Sequence, residues 1–219
     1  PQIVGQLQSF SPDVIVFIGF VESGISFLRH IASSETLRNT PVICTDGMSD
    51  KKVVEEISDE NGAVVLSNIV GTRPATPTGE VFRNFSISYS SKWNEQPGVY
   101  NANAYDAMYL LAFAAGGVKP GIELSGPRLA EQLRRMNEGN SISASQNNWG
   151  PGLAIMRSAG EGMNFEGASG PLDFDANGEA TSSIEAWYFD VGNGRVASHG
   201  VLLSAEGRYL PLEDAPGEQ

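Results

Sequence analysis

In the first third of the chain, apolar runs typical of strands alternate with apolar residues at helical spacing. Asp13–Phe20 holds an almost unbroken apolar run of strand length, typical of strands in parallel sheets. Helical spacing follows at Glu22–Ser33. This alternation continues with a strand at Pro41–Thr45, a helix at Asp50–Ile57 and a strand at Ala63–Ser67. This βαβαβ order predicts a doubly wound α/β fold with mainly parallel sheets and right-handed crossovers.

The alternation of strand and helix patterns stops at Gly71–Gly79, where a stretch rich in Pro, Thr and Gly indicates a linker or hinge. The patterns beyond it predict helices at Val81–Trp93, Asn101–Ala115, Pro127–Met136 and Leu153–Ala159, a polar loop at Asn140–Asn148, and strands at Ile184–Val191 and Val196–Leu203. A helical pattern also occupies residues 1–10. Because the chain opens inside a helix, we expect it to be a fragment or a processed product.

The segment Gly167–Gly178 combines small residues, a proline and a polar turn, and predicts one short strand followed by a tight turn. Within it, Asp173–Gly178 matches the first half of a D-x-D-x-N-G calcium loop. The twelfth position of that loop is Ile184 instead of a bidentate Glu, and no helical pattern flanks it. A plain strand and turn is the favoured interpretation.

A second motif, Gly192–Ala197, matches the relaxed dinucleotide pattern G-x-G-x-x-A. A strand pattern follows it, whereas a bound phosphate needs the N-terminus of a helix. The sequence therefore predicts a hairpin turn here. Neither a G-x-x-x-x-G-K-[ST] phosphate loop nor a G-x-S-x-G nucleophile elbow occurs.

Charge and composition narrow the class of protein further. The net charge of -12 argues against nucleic-acid binding and against anionic membrane surfaces. No apolar run approaches the roughly 20 residues of a membrane span. The single cysteine, Cys44, lies in an apolar run and is expected to be buried, while His30 and His199 lack a zinc-site spacing. We expect no catalytic residue, no metal site and no cofactor.

Asp46 is the ionisable residue best placed for ligand binding. It follows a predicted parallel strand, and ligands of doubly wound sheets bind outside the carboxyl ends of the strands. Its carboxylate would pair with an ammonium group in a partly dehydrated cleft. The alternative is an N-cap or a turn within residues 45–47.

The sequence offers four further candidates for ligand binding. Phe20, Val21 and Ser23 follow the first strand and occupy the equivalent place there. Phe20 and Val21 would offer an apolar wall, whereas Ser23 either contacts a ligand or caps the next helix. Tyr100, at the start of the most apolar helix, either faces a cleft or belongs to the core.

Four segments occur in the order and spacing of a known family. They are Ser11–Gly19, Pro41–Gly47, Asn103–Tyr109 and Asn164–Gly178, of which the last is the most specific. Over residues 3–203 the chain resembles the latter part of type I periplasmic solute-binding proteins, in particular the branched-chain amino acid and amide group that serves ABC importers.

The resemblance implies two α/β lobes joined by three crossing segments, two of them here, near Arg73–Gly79 and Gly178–Ser183. The implied division is a C-terminal lobe of residues 1–75 and 184–203, the remainder of an N-terminal lobe at residues 80–180, and a tail at residues 204–219. The family's N-terminal part, which holds the ligand's carboxylate, would precede this chain and is expected as its partner.

In relatives that bind amino acids, an acidic residue at the place of Asp46 holds the ligand's α-ammonium group. Relatives often carry an aromatic residue near Val21, where this chain has Val with Phe20 beside it. The resemblance implies a periplasmic or extracellular protein, with or without a lipid anchor, that delivers an amino acid or amide to an ABC transporter permease. A sensor or receptor ectodomain and a Rossmann-like enzyme remain as alternatives.

Overall fold

The computed structural model describes residues 2–57, 59–203 and 207–211. The chain separates into two compact units. Unit 1 comprises residues 1–75 and 183–219, and unit 2 comprises residues 76–182. Each unit has its own sheet and its own hydrophobic cluster. The assignment of these units to the C-terminal lobe and the remainder of the N-terminal lobe stays a prediction.

The helices of the described residues are α1 (Gln2–Phe10), α2 (Val21–Ala32), α3 (Lys51–Glu56), α4 (Glu60–Ser67), α5 (Glu80–Trp93), α6 (Asn101–Gly117), α7 (Gly126–Leu133) and α8 (Trp149–Arg157). The strands are β1 (Ile15–Phe17), β2 (Val42–Cys44), β3 (Ile69–Pro74), β4 (Asn140–Ser143), β5 (Met163–Gly167), β6 (Gly170–Pro171), β7 (Ile184–Asp190), β8 (Arg195–Leu203) and β9 (Arg208–Pro211).

Unit 1 is built on a six-stranded sheet in the order β1-β2-β3-β7-β8-β9. The first three strands are parallel, as predicted, whereas β7 is antiparallel to β3, β8 to β7 and β9 to β8. A tight turn at Val191–Asn193 joins β7 to β8, and such a hairpin makes its strands antiparallel without a crossover helix. The α/β class is therefore confirmed, with a mixed sheet in this unit.

The core of unit 1 lies on one face of this sheet. Because β1, β2 and β3 follow one another in the same direction, right-handed crossovers put α2, α3 and α4 on the same side. Helices and sheet meet in a cluster of fully buried side chains that includes Leu28, Ile31, Val53, Leu66 and Trp187.

The opposite face of the parallel strands carries apolar side chains that remain exposed. Val16, Ile43 and Val70 are in register across β1, β2 and β3, and they are 63%, 43% and 44% exposed. Successive side chains of a strand point to opposite faces, so the buried Ile15 and Val42 alternate with them. The apolar run at residues 13–20 thus forms a strand, but one that is buried on a single face.

Residues 63–67, predicted as the third strand, belong to helix α4. The Asp59 carboxylate accepts a hydrogen bond from the Gly62 N–H at 2.7 Å and caps this helix, so the valine-rich run continues as helix. The third strand is β3, which takes in the first residues of the predicted linker. That linker prediction therefore starts too early.

Unit 2 contains a three-stranded sheet in which β4 is parallel to β5 and β6 is antiparallel to β5. Its core includes Phe113 of α6, Phe165 of β5 and Met156 of α8, all fully buried. The predicted helices at residues 81–93, 101–115 and 127–136 are confirmed, the last ending in a 3-10 turn. Helix α8 starts at Trp149, before its predicted start.

Strand β4 lies in the segment predicted as a polar loop. It pairs in parallel with β5, and Ile142 is its buried residue. Ser141, Ile142 and Ser143 alternate polar and apolar, which is the pattern of a half-buried strand. The polar composition around them obscured that pattern.

The predicted tail also contains a strand. Arg208–Pro211 forms β9 and pairs with β8, so this part of the chain extends the sheet of unit 1. The rest of the predicted tail, residues 204–206 and 212–219, lies outside the described residues.

Candidate functional site

Asp46 lies at the carboxyl end of β2, half-buried, on a 3-10 turn formed by Asp46–Met48. The Ser49 N–H donates to the Asp46 carbonyl at 2.9 Å and closes this turn. The cap of α3 is Asp50, whose Oδ1 accepts a hydrogen bond from the Lys52 N–H at 2.8 Å. Asp46 is therefore not an N-cap, whereas the alternative that it lies in a turn is confirmed. Its pairing with an ammonium group stays a prediction.

The segment after β1 packs directly against this turn. A methyl group at Gly47 would collide with the Gly19 carbonyl oxygen and would lie 3.3 Å from Phe20 Cδ1. Glycine allows this close approach because it has no side chain. Phe20 itself is 75% exposed. The fold thus places an exposed aromatic ring beside the turn that carries Asp46.

Ser23 has the helix-cap geometry that the sequence left as one alternative. Its hydroxyl donates to the Phe20 carbonyl at 2.9 Å and accepts from the Phe20 N–H at 3.3 Å. Val21 begins α2 and packs partly against the core of unit 1. Phe20, Val21, Ser23 and Asp46 therefore all lie in unit 1, and their part in ligand binding stays a prediction.

Tyr100 lies in unit 2, immediately before α6. It is 52% exposed, so the core alternative does not describe it. Tyr105, on the same helix, behaves differently: its ring centroid lies 4.9 Å from that of Phe85 and 5.0 Å from that of Tyr109. A contact between Tyr100 and a ligand stays a prediction.

Sequence reasoning missed a cavity of about 500 Å³ at the carboxyl ends of β4 and β5 in unit 2. Ser141, Ser143, Glu166 and the first turn of α5, with Glu80, line it. This volume lies within the range of about 300–1,000 Å³ for small-molecule sites. The strand pattern of Ser141–Ser143 was the signal that would have revealed it.

Asp106 is a buried carboxylate that joins helix α6 to the loop between β5 and β6. Its oxygens accept hydrogen bonds from the Ala168 N–H (2.7 Å), the Ser169 N–H (2.7 Å) and the Ser169 hydroxyl (2.6 Å). A methyl group at Gly167 would collide with this carboxylate. Burial raises the pKa of Asp106, while the hydrogen bonds from Ser169 and Ala168 act in the opposite direction. All its hydrogen-bond partners are internal, which indicates a structural role.

The two motifs with alternative functional interpretations form turns, as predicted. The Asp175 carboxylate accepts hydrogen bonds from the N–H groups of Asn177 (2.8 Å) and Glu179 (2.9 Å), and the bond from Glu179 contributes most to lowering the pKa of Asp175. Gly194, in the turn between β7 and β8, has a φ of +64°. Within the described residues, no group of three or more His, Cys, Asp or Glu side chains is arranged to hold a metal ion.

Cys44 is buried in β2, as predicted, and burial raises the pKa of its thiol to about 12. The thiolate is the reactive form, so we expect the folded chain to resist alkylation by iodoacetamide at pH 8 and to react fully in guanidinium chloride. Mass spectrometry of the labelled chain checks this. Rapid stoichiometric labelling of the folded chain would contradict the burial of Cys44.

None of the helices in residues 2–57, 59–203 and 207–211 combines the length and apolar character that crossing a membrane requires.

The architecture defines a class: an α/β fold in two units, with candidate ligand groups at the carboxyl ends of parallel strands in each unit. A family model described as the receptor family ligand binding region matches residues 2–190. The chain belongs to this family and has the type I periplasmic binding protein fold, as the sequence resemblance predicts.

Two solved structures illustrate the likeness. A leucine-binding protein from Thermotoga maritima MSB8 is 21% identical, with 91% of this chain and 47% of that protein covered and a TM-score of 0.59. A fatty acid ABC transporter substrate-binding protein from Thermomonospora curvata is 13% identical, with 100% and 48% covered and a TM-score of 0.49. The chain thus spans about half the length of these proteins. A comparison with curated proteins gives no match.

Proposed function

We propose that this chain is part of an extracytoplasmic substrate-binding protein of an ABC importer, which captures an amino acid or a related small polar ligand by closure of two lobes. Membership of a ligand-binding family supports binding rather than catalysis. One observation carries the choice of ligand class. It is the half-buried carboxylate of Asp46 on a turn at the carboxyl end of β2, packed against the segment that presents Phe20.

In this proposal Asp46 accepts hydrogen bonds from the ligand's α-ammonium group, because a charge-assisted bond is strong where water is partly excluded. Phe20 and Val21 form an apolar wall for the ligand's side chain, and Tyr100 is a further candidate contact. The ligand's carboxylate is held by groups outside this chain. Closure follows because the ligand favours whichever state offers it more contacts, and that state is presented to the permease.

A thermal-shift screen of the natural full-length protein tests this proposal. A ligand that binds only the native state stabilises it by about 2.7 kcal/mol at 100 times its Kd. We expect a rise in melting temperature with at least one amino acid or amide and none with ATP or NAD. A rise with nucleotides alone would favour the Rossmann-like enzyme instead.

A ligand-binding ectodomain of a sensor or receptor is the second candidate, since the family that the chain belongs to is described as a receptor family ligand binding region. Both functions use the same ligand chemistry, so binding assays do not separate them. The neighbouring genes do: permease and ATPase genes support the importer, whereas a kinase gene supports the sensor. The proposal places the protein in the periplasm or outside the cell, with or without a lipid anchor.

A further inference from the structure

Arg73, near the end of β3, contacts the turn that carries Asp46 and a neighbouring strand at the same time. Its Nε donates to Glu185 Oε2 at 2.7 Å, and its Nη1 donates to the Ser49 hydroxyl at 2.8 Å. Ser49 is the residue whose N–H closes the Asp46 turn on the Asp46 carbonyl. One guanidinium therefore ties this turn to strand β7.

Arg73 and Glu185 lie close to the points where the chain leaves unit 1 and returns to it. Arg73 and Glu185 are cross-strand partners in the antiparallel pair β3–β7. Two residues beyond Arg73, the Ala75 N–H donates to the Ser183 carbonyl at 2.9 Å, and the chain leaves unit 1 after Ala75 and returns at Ser183. The turn with Asp46 is thus fastened to the ends of the two strands that connect the units.

The ion pair between Arg73 and Glu185 is largely buried. The side chains of Arg73 and Glu185 are 17% and 9% exposed, so their charges are largely withdrawn from water and depend on each other. The planar guanidinium offers separate donors in fixed directions, one for the carboxylate and one for the hydroxyl. The second donor, Nη1, binds the Ser49 hydroxyl, and this contact is a hydrogen bond from a charged group.

We infer that Ser49 and Arg73 are positioning residues, which hold the Asp46 turn in the conformation that receives an ammonium group. This inference rests on the proposed function, because it gives Asp46 the role of ligand partner. Neither residue needs to touch the ligand. Ser49 acts through the turn, and Arg73 supplies the fixed point against which the turn is held.

The test replaces the hydroxyl that Arg73 contacts and leaves the Arg73–Glu185 pair intact. With L-leucine as the probe, Ser49→Ala is expected to weaken binding about 5- to 10-fold in calorimetry, less than the full loss of a hydrogen bond to a charged group, because Ser49 acts on the ligand only through the turn. Ser49→Thr, which keeps a hydroxyl, is expected to restore affinity. Ser67→Ala is the matched control, since the Ser67 hydroxyl donates to the Val64 carbonyl at the end of α4, and its affinity is expected to match the wild type.

A double-mutant cycle separates positioning from a general loss of structure. If Ser49 acts through Asp46, then Ser49→Ala has less than a twofold effect in an Asp46→Asn background. Additive effects of the two substitutions, or an unchanged affinity in Ser49→Ala alone, would overturn the inference while leaving the proposed function standing. An unchanged affinity in Asp46→Asn would instead contradict the proposed function.

Hydrogen exchange provides a measurement that needs no ligand. The N–H groups of Met48 and Ser49 donate to the carbonyls of Thr45 and Asp46 at 3.1 and 2.9 Å. In Ser49→Ala these two amides are expected to exchange about 5- to 10-fold faster, and in Ser67→Ala at the wild-type rate. If their exchange is unchanged, Arg73 does not hold the turn, whether or not the protein binds L-leucine.

Discussion

Asp46→Ala is expected to weaken the binding of an amino acid that the thermal-shift screen identifies by about 1.5–3 kcal/mol, which corresponds to roughly 10- to 150-fold in Kd. The reason is the loss of a charge-assisted hydrogen bond to the ligand's ammonium group at the carboxyl end of β2. Asp46→Asn is expected to lose nearly as much, because the amide keeps the shape but not the charge. Isothermal titration calorimetry on the full-length protein measures both.

Asp50→Ala is the matched control for this prediction. Asp50 lies four positions further on, is exposed and caps α3 through the Lys52 N–H. Its replacement removes the same charge close to the site and should lower stability by about 1 kcal/mol while leaving affinity within twofold. If Asp46→Ala retains wild-type affinity, or if Asp50→Ala loses as much, Asp46 is not the ammonium partner.

Asp106→Ala is expected to lower the free energy of unfolding by about 2–4 kcal/mol. The substitution leaves the N–H groups of Ala168 and Ser169 and the Ser169 hydroxyl without their acceptor, and an unsatisfied buried donor costs roughly 1–3 kcal/mol. Relief of the buried charge offsets part of this loss. Urea denaturation followed by circular dichroism gives the difference.

Two further variants make this measurement specific. Asp106→Asn keeps one oxygen for the Ala168 N–H but presents an amide to Ser169, so it should fall between the wild type and Asp106→Ala. Asp173→Ala removes an exposed carboxylate four residues beyond Ser169 and should change the unfolding free energy by less than about 0.5 kcal/mol. A loss of under about 0.5 kcal/mol in Asp106→Ala would show that these hydrogen bonds are not important for stability.

Two of the segments that carry the family resemblance meet in this contact. Asn103–Tyr109 contains Asp106, and Asn164–Gly178 contains the Ala168 and Ser169 groups that bind its carboxylate. Gly167 is required there because a side chain would meet the same carboxylate. The two segments are about sixty positions apart but form a single hydrogen-bonded contact in unit 2.

Local signals predicted most of the helices and their starts. The helix predicted to begin at Asp50 is capped by that residue, and the glycine-rich turn between β7 and β8 follows directly from the sequence. Local signals misled at residues 63–67, where β-branched residues suggested a strand but the Asp59 cap produced a helix. They also misled at β4, where serines on a half-buried strand resembled a loop.

The candidate site was only partly accessible from the sequence. Position after a parallel strand was enough to single out Asp46 and Phe20, because the direction of the chain fixes which ends of the strands meet. The packing of Gly47 against Gly19 and Phe20 was not predictable, and neither was the link from Arg73 to Ser49, 24 positions away. The cavity in unit 2 depends on β4, which the sequence pattern hid.

By itself the sequence determined the α/β class and the parallel order of the first strands, and it singled out Asp46 as a candidate ligand group, because periodicity, caps and turn residues act over a few positions. Only the tertiary structure decided which distant groups meet: Arg73 with Glu185 and Ser49, and Asp106 with Ala168 and Ser169. Such contacts join residues far apart in the chain. They depend on strand register and burial, which no local pattern of residues encodes.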